Sequence, residues 1–426
     1  MENNKKNSAI FIDPGEHLKQ PPKRSPSLRR AARLSVGLIT LGFALTSCGT
    51  LGGGEANDDD ADATANDPLT IGVITPMTGV ASLEGNALRD GFELGIKHLN
   101  ADGGVFGQDV ELIFIDDQGD AAISTQSAQR LIQQDEVDYL FGTIAGDTSE
   151  AVAGVAAEQQ VPFSTAMIGS IPHCSPHFWP FGATELMVTE GLVPYMIEEY
   201  GENAALVGND YLFPRQYHDA SRSLIEEAGG NVSVEEYSPL GTSDWQPVIN
   251  RLADADPDWI LTAVVGGDAI SFSQQSDQFG LLDDAGISGV SLQQEFYPGT
   301  AEIIEGSVTA QPYSDQLPGE DNEAFVEEFR EAYDFTDPIP VVAATSYHAA
   351  HYIGAAVEAA GSTDPEAISE QMPQVDIGGL MGSSSFDQDN HTFSTQMYLF
   401  EIGPDGDYNP IEDFDIVTDP MDRDCS

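Results

Sequence analysis

The segment from residue 208 to residue 245, GNDYLFPRQYHDASRSLIEEAGGNVSVEEYSPLGTSDW, begins at the end of a predicted strand and continues through a helix into a second strand. An apolar run at 204–208 ends in a polar elbow and reads as a buried strand. Pro214 fits the first turn of a following helix because the N–H that proline lacks is not needed there. Gly229-Gly230 supplies the left-handed conformation that ends a helix. A second strand at 232–237 completes a unit of a parallel sheet, in which ligands bind at the carboxyl edge of the strands.

Strands and helices alternate on both sides of this segment. Apolar runs predict strands at 69–75, 110–116, 137–143 and 161–165 and, beyond a connector at 171–182, strands from 204, at 232–237, at 259–265 and at 289–292. Helical patterns fill the intervals between them. Strict alternation predicts parallel sheets with helices on both faces. Two such runs predict an α/β protein with two doubly wound parallel-sheet lobes and a ligand cleft between them.

The chain is strongly acidic, with 71 Asp and Glu against 16 Lys and Arg and a net charge of −55. Half of the basic residues precede Cys48, and Lys97 is the only lysine after it. So many like charges oppose compaction unless salt screens them, and at about 1 M salt the screening length is ~3 Å. The composition favours a protein of a salt-adapted organism over one with an ordinary acidic surface. It argues against nucleic acid as a partner, because no basic patch is available to neutralise phosphates.

Residues 1–47 have the pattern of a secretion signal, with a basic flank before a short apolar run at 34–47. The end of this run, Leu45-Thr46-Ser47-Cys48-Gly49, resembles a lipoprotein processing box, which implies a lipid anchor on Cys48. An ordinary signal peptide with an incidental cysteine is the alternative. Residues 48–68 are small and acidic and cannot bury enough surface to fold, so they are predicted to form a flexible tether.

Three motifs carry a family resemblance. The motifs are Asp210-Tyr211-x-Phe213-Pro214-Arg215, Pro239-Leu240-Gly241-x-Ser243-Asp244-Trp245 and Gly266-Gly267-Asp268. They resemble the solute-binding proteins of ABC transporters, first the urea and short-chain-amide branch and next the branched-chain amino-acid binders. The resemblance implies the type I periplasmic-binding-protein fold, with lobes that are discontinuous in sequence. It places the amino-terminal lobe at 69–187 and 313–390, and the carboxyl-terminal lobe at 188–312 and 391–426 with the tail.

The resemblance also implies ligand-binding residues. The loop at 143–148 would hold the ligand from the first lobe through Gly146 and Asp147, although Ile144 and Gly146 replace the Tyr and Ser of the amide binders. The resemblance also implies Phe163 and Thr165 in the first lobe. In the second lobe the residues themselves suggest Tyr211, which offers a ring and a hydroxyl, and Asp268 and Glu295, which are acceptors near strand ends. Urea and simple amides offer several N–H donors and one carbonyl, so they need acceptors such as Asp268 and donors such as Tyr211. Each candidate has a structural alternative: Phe163 as a core residue, Thr165 as a turn cap, and Asp268 as a helix N-cap.

Asp147 and Glu150 have the spacing of a capping box, with Asp147 as the N-cap. If both fill the open donors of the helix, little remains for a solute carboxylate, and Asp147 would repel one. This predicts a neutral or cationic solute over a free amino acid, whereas a plain solvated cap is the alternative.

Three cysteines are present. With Cys48 lipidated, Cys174 and Cys425 remain and can pair in an oxidising exterior. His173-Cys174-x-x-His177 also permits a zinc site, but no second cluster of ligands accompanies it. No metal and no cofactor is therefore expected.

The sequence favours a surface receptor that captures a small-molecule solute and delivers it to the permease subunits of an ABC transporter, and that is held to the outer face of the cytoplasmic membrane by Cys48. A surface ligand sensor is an alternative. An enzyme is not expected, because no nucleophile elbow, phosphate loop or paired metal motif is present.

Overall fold

The computed structural model describes residues 68–421 and 423–425. The predicted signal peptide at 1–47, the predicted lipidation site Cys48 and all but the last residue of the predicted tether lie outside the described residues. Within them, the protein is an α/β fold of two lobes, each built on its own sheet.

The first sheet has four parallel strands in the order β2-β1-β3-β4. Its strands are β1 (Thr70–Thr75), β2 (Glu111–Asp116), β3 (Tyr139–Gly142) and β4 (Phe163–Ser164), and its helices are α1 (Ser82–Ala101), α2 (Ala121–Gln133) and α3 (Gly146–Gln159). Helix α1 forms because apolar residues recur at every fourth position, and Leu88, Phe92 and Ile96 are buried against the sheet.

The second sheet has eight strands in the order β10-β11-β9-β8-β7-β5-β6, with β12 paired to β11. It is parallel from β6 to β9, and β11 runs antiparallel to β9, β10 and β12. The strands are β5 (Asn203–Asn209), β6 (Asn231–Ser238), β7 (Trp259–Ala263), β8 (Gly286–Gly289), β9 (Val308–Gln311), β10 (Ser385–Phe386), β11 (Phe393–Ile402) and β12 (Tyr408–Val417). The helices between β4 and β9 are α4 (Glu185–Thr189), α5 (Leu192–Glu199), α6 (Leu212–Glu227), α7 (Gln246–Asp254), α8 (Gly266–Gln278) and α9 (Tyr297–Ile304).

Three further helices lie between β9 and β10: α10 (Glu320–Tyr333), α11 (Val341–Ala360) and α12 (Pro365–Gln371). Their apolar residues join the core of the first sheet. Helix α11 packs closely on α1 and runs parallel to it. A Cβ on Gly91 would lie 2.0 Å from the Ala343 carbonyl oxygen, and one on Gly95 would lie 2.7 Å from the Ala350 Cβ. The first turns of both helices therefore lie at the same end of the first lobe.

The strand predicted at 289–292 is wrong in its position. Strand β8 ends at Gly289, and Val290–Leu292 forms a 3-10 turn. Gly289 has φ +112°, and a Cβ there would lie 2.3 Å from the Thr262 carbonyl oxygen, so the strand ends where the backbone meets its neighbour closely.

A disulfide joins Cys174 to Cys425 across 251 residues of sequence and fixes the tail to the connector between the lobes. Within residues 68–421 and 423–425, no helix combines the length and the apolar character needed to cross a bilayer.

Candidate functional site

A cavity of about 220 Å³ lies where the carboxyl ends of the parallel strands of both sheets face each other. Parallel sheets bind ligands at this edge, because the loops that follow the strands converge there. The walls are mostly apolar, and the lining residues come from the loops after the strands and from the first turns of α1 and α11: Val80, Ala81, Glu84, Gln118, Gly119, Ile144, Ala145, Ala166, Met167, Ile168, Tyr211, Phe213, Leu240, Val265, Gly266, Val290, Gln293, Glu295, Phe296, Val341 and Val342.

The loop after β3 forms one wall. Gly142 and Thr143 both have positive φ, +122° and +62°, a strained conformation for the β-branched Thr143. The Thr143 hydroxyl is held by the Ser149 hydroxyl at 2.7 Å. After this turn, Ile144 and Ala145 line the cavity just before α3 begins. The side chain of Ala145, the N-cap residue, makes no cap hydrogen bond, so the first N–H groups of α3 keep their capacity to donate.

The loops after β5 and β7 form the opposite wall. Tyr211 and Phe213 contribute aromatic surface, and burial raises the pKa of Tyr211, so its hydroxyl stays protonated. The start of α8 closes the wall at Gly266, whose φ is +59°.

Glu84 is the buried carboxyl on the first-lobe side. It is 7 % exposed, and its Oε1 accepts a hydrogen bond of 3.1 Å from the Gly266 N–H of the second lobe. Its Oε2 is buried and accepts no hydrogen bond from a described residue. Burial raises the pKa of Glu84 to about 7, although hydrogen bonds from its own backbone and from Gly266 oppose the shift.

Glu295 is the carboxyl on the second-lobe side, in the 3-10 turn Gln294–Phe296. Its Oε2 is also buried and accepts no hydrogen bond from the described chain. Burial and the charge of Glu84 together raise the pKa of Glu295 to about 8. The charge of Glu84 therefore acts on Glu295 across the cavity. None of the described residues that line it is Lys, Arg or His, so the described lining supplies no cation to neutralise them.

Of the predicted site residues, Tyr211 and Glu295 line the cavity. Asp268 lies outside the lining residues, and its side chain is already bonded. Its Oδ2 accepts hydrogen bonds from the Asn209 side-chain amide at 2.9 Å and from the N–H groups of Gly241 and Thr242 at 2.8 and 3.3 Å. Asp268 thereby ties three loops of the second lobe together.

Phe163 and Thr165 also lie outside the lining residues. Phe163 is fully buried and stacks on Phe178 with 5.4 Å between the ring centroids. The Thr165 hydroxyl donates to the Thr143 carbonyl at 3.2 Å. Thr165 therefore supports the turn that precedes Ile144 and Ala145, whereas Phe163 is a core residue.

The predicted capping box of α3 is wrong. The helix begins at Gly146 with Ala145 as its N-cap, and Asp147 lies exposed in the first turn. Gly146 is buried, and a Cβ there would lie 3.5 Å from the Leu212 side chain across the cleft. The carboxylate of Asp147 therefore leaves the first N–H groups of α3 uncapped.

Glu84 is the principal residue that the sequence reasoning missed. It lies four positions before Leu88, so it continues the buried stripe of Leu88, Phe92 and Ile96 on α1. An acid at the end of an apolar stripe is a signal for a buried carboxyl. Val341 and Val342 were missed because only the packing of α11 on α1 brings them to the cavity.

The residues considered for zinc are otherwise engaged. Cys174 is in the disulfide, and the His177 ring contacts the Ser369 hydroxyl at 3.1 Å. Among the described residues, no group of three or more His, Cys, Asp and Glu side chains is arranged to hold a metal ion.

Comparison with known proteins identifies the family. The model of the family described as periplasmic binding protein matches residues 68–407. A Leu/Ile/Val-binding protein homolog 6 of Brucella abortus (strain 2308) is 25% identical over 373 residues, which cover 84% of this chain and 95% of that protein.

Solved structures share the fold. One is a solute-binding protein of an ABC transporter from Rhodopseudomonas palustris BisB5 in complex with 3,4-dihydroxybenzoic acid, with a TM-score of 0.77, 22% identity and coverage of 83% of this chain and 99% of that one. Another is a leucine-binding protein from Thermotoga maritima, with a TM-score of 0.72, 20% identity and coverage of 82% and 97%. The chain belongs to the periplasmic binding protein family, a family of solute-binding proteins rather than enzymes.

Proposed function

We propose that the protein is the extracellular receptor of an ABC importer for a small solute that presents N–H donors to Glu84 and Glu295 and an apolar body to the remaining walls. The observation that carries this proposal is the pair of buried carboxyls with unpaired oxygens in an otherwise apolar cavity. A buried acceptor without a donor costs about 1–3 kcal/mol, so a solute that supplies the donors gains that free energy on binding.

Amides satisfy this pattern, and the motifs at 210–215 and 239–245 resemble the urea and short-chain-amide binders. Urea supplies the N–H donors without an apolar body, whereas the side chains of Ile144, Met167 and Val342 favour a solute that also covers apolar surface. Lipidation of Cys48 would hold the receptor at the membrane, and the acidic composition suits a salt-rich exterior.

A branched-chain amino acid is the second candidate, supported by the uncapped start of α3. The N–H groups of a helix start bind anions, so a solute carboxylate would lie against Ala145 and Gly146 while its ammonium group faces the carboxyls. The matched Leu/Ile/Val-binding homolog agrees with this candidate.

Isothermal titration calorimetry in high salt tests the proposal with urea, acetamide, isovaleramide, leucine and isovalerate. Tighter binding of isovaleramide than of isovalerate is the expected result, because only the amide donates N–H groups. Isovalerate binding as tightly as isovaleramide would overturn the proposal, and leucine binding most tightly would favour the second candidate.

A further inference from the structure

The two unpaired carboxyls come from opposite lobes and face one cavity. Glu84 lies on α1, and Glu295 lies in the 3-10 turn after β8. Each has a buried Oε2 with no donor from the described chain. The charge of Glu84 raises the pKa of Glu295, and none of the described lining residues is a Lys, Arg or His that could offset two ionised carboxyls.

The other titratable groups near Glu84 and Glu295 do not offset the negative charge of these carboxyls. Burial raises the pKa of Tyr211 and of Tyr408 far above the physiological range, so both hydroxyls are neutral. Asp147, exposed at the start of α3, acts on Tyr211 with a further negative charge. The remaining polar residues of the lining, Gln118 and Gln293, are uncharged. A positive charge is therefore what the site lacks.

We propose that Glu84 and Glu295 bind a cationic nitrogen between the lobes, so that the solute carries a net positive charge, as a primary amine with an apolar body does. An uncharged amide would supply hydrogen bonds but no charge. A zwitterionic amino acid would add a carboxylate, for which the described lining offers no Lys, Arg or His and only the N–H groups at the start of α3. This inference rests on the proposed function, because it specifies that the N–H donor of the proposed solute is positively charged.

Closure of the lobes is linked to the same carboxyl. The hydrogen bond from Gly266 N–H to Glu84 Oε1 crosses the cleft, and a cation between Glu84 and Glu295 would join the lobes at a second point. The solute would thus be bound by one carboxyl from each lobe, so its charge would favour closure.

Probes matched in shape separate this inference from the proposed function. Calorimetry with isoamylamine, leucinamide, isovaleramide, leucine and isovalerate is expected to show isoamylamine and leucinamide binding at least tenfold more tightly than isovaleramide. If isovaleramide binds as tightly as the amines, the inference that the solute carries a net positive charge is overturned, whereas the proposed function stands. Leucine binding more tightly than leucinamide would also overturn it, whereas isovalerate as the tightest probe would overturn both.

Variants and pH give independent readouts. Glu84→Gln and Glu295→Gln keep the shape of the side chains, and each is expected to weaken isoamylamine at least tenfold more than it weakens isovaleramide. The affinity for isoamylamine is expected to rise from pH 6 to pH 8.5, because binding displaces carboxyl protons and the amine stays charged. Equal losses for amine and amide, or an amine affinity independent of pH, would contradict the inference. Glu93→Gln and Glu302→Gln, exposed acids on α1 and α9, are the matched controls.

Discussion

Asp268 and Glu84 are buried carboxyl groups from different lobes, and they differ in what donates to them. Three donors from two other loops surround Asp268 Oδ2. Glu84 receives one donor from across the cleft, and its Oε2 receives none from the described residues. A buried carboxyl whose donors come from the protein stabilises the fold. A buried carboxyl that lacks donors from the protein can accept hydrogen bonds from a bound solute.

Replacing Asp268 tests the structural half of this comparison and has the largest expected effect. Asp268→Ala leaves the Asn209 amide and the N–H groups of Gly241 and Thr242 without an acceptor. We expect the free energy of unfolding to fall by about 3–4 kcal/mol, since each unpaired buried donor costs about 1–3 kcal/mol. Thermal denaturation at fixed high salt measures it, and Asp268→Asn, which keeps one oxygen acceptor, should lose less. A stable Asp268→Ala variant that loses solute affinity would instead place Asp268 with Glu84.

Replacing Glu84 or Glu295 by glutamine tests the second part of this comparison, the carboxyls without donors. Their folded-state pKa values of about 7 and about 8 lie above the ordinary value of 4.5. Their contribution to stability is therefore complete below about pH 4.5 and is lost as the pH rises through the folded-state values. Glu84→Gln or Glu295→Gln should raise the free energy of unfolding of the solute-free protein by roughly 1–3 kcal/mol at pH 8 and change it little at pH 4.5.

Thermal denaturation at the two pH values checks this prediction. Glu93→Gln should show no difference between them, since Glu93 is exposed on the same helix as Glu84. A loss of stability in both glutamine variants at pH 8 would mean that the charged carboxyls stabilise the fold as Asp268 does.

A methyl group at Gly266 tests the contact between the lobes. A Cβ there would lie 2.7 Å from the Val80 carbonyl oxygen, and the positive φ of this residue costs alanine about 1–2 kcal/mol. Gly266→Ala should weaken binding of the tightest probe by about tenfold, or ~1.4 kcal/mol. Small-angle scattering should show no compaction on adding that probe, whereas Gly267→Ala, where a Cβ meets nothing within 4 Å, should behave as the parent.

Asp147 provides the smallest expected effect. It is exposed in the first turn of α3 and makes no cap. Asp147→Ala should change the free energy of unfolding by about 0.5 kcal/mol or less, the size of a screened interaction with the helix dipole. Thermal denaturation in high salt measures it, and a tenfold change in solute affinity would show that this carboxylate belongs to the site.

The alternation of strands and helices could be predicted from the sequence because each buried parallel strand is a local run of apolar residues. Residues 259–263 and 204–208 are examples, and both lie within strands. The end of β8 at Gly289 was missed because it depends on a contact with Thr262 in another strand. The packing of α11 on α1 depends on Gly91 and Gly95, which show in the sequence only as small residues.

The site was harder to predict than the fold. Tyr211 and Glu295 reach the cavity from loops that the family resemblance indicated. Asp268 looked like a ligand acceptor because its partner Asn209 lies 59 residues away in sequence. Glu84 was readable in principle from its place four residues before Leu88, but its unpaired oxygen depends on how the lobes meet.

The bond between Cys174 and Cys425 turns most of the described chain into a covalent ring that contains both the second sheet and the helices returning to the first. A protease that cuts one peptide bond inside this ring opens it without releasing a fragment. Provided that the cut loop lies away from the cleft, a nicked receptor outside the cell keeps both walls of its cavity attached to each other.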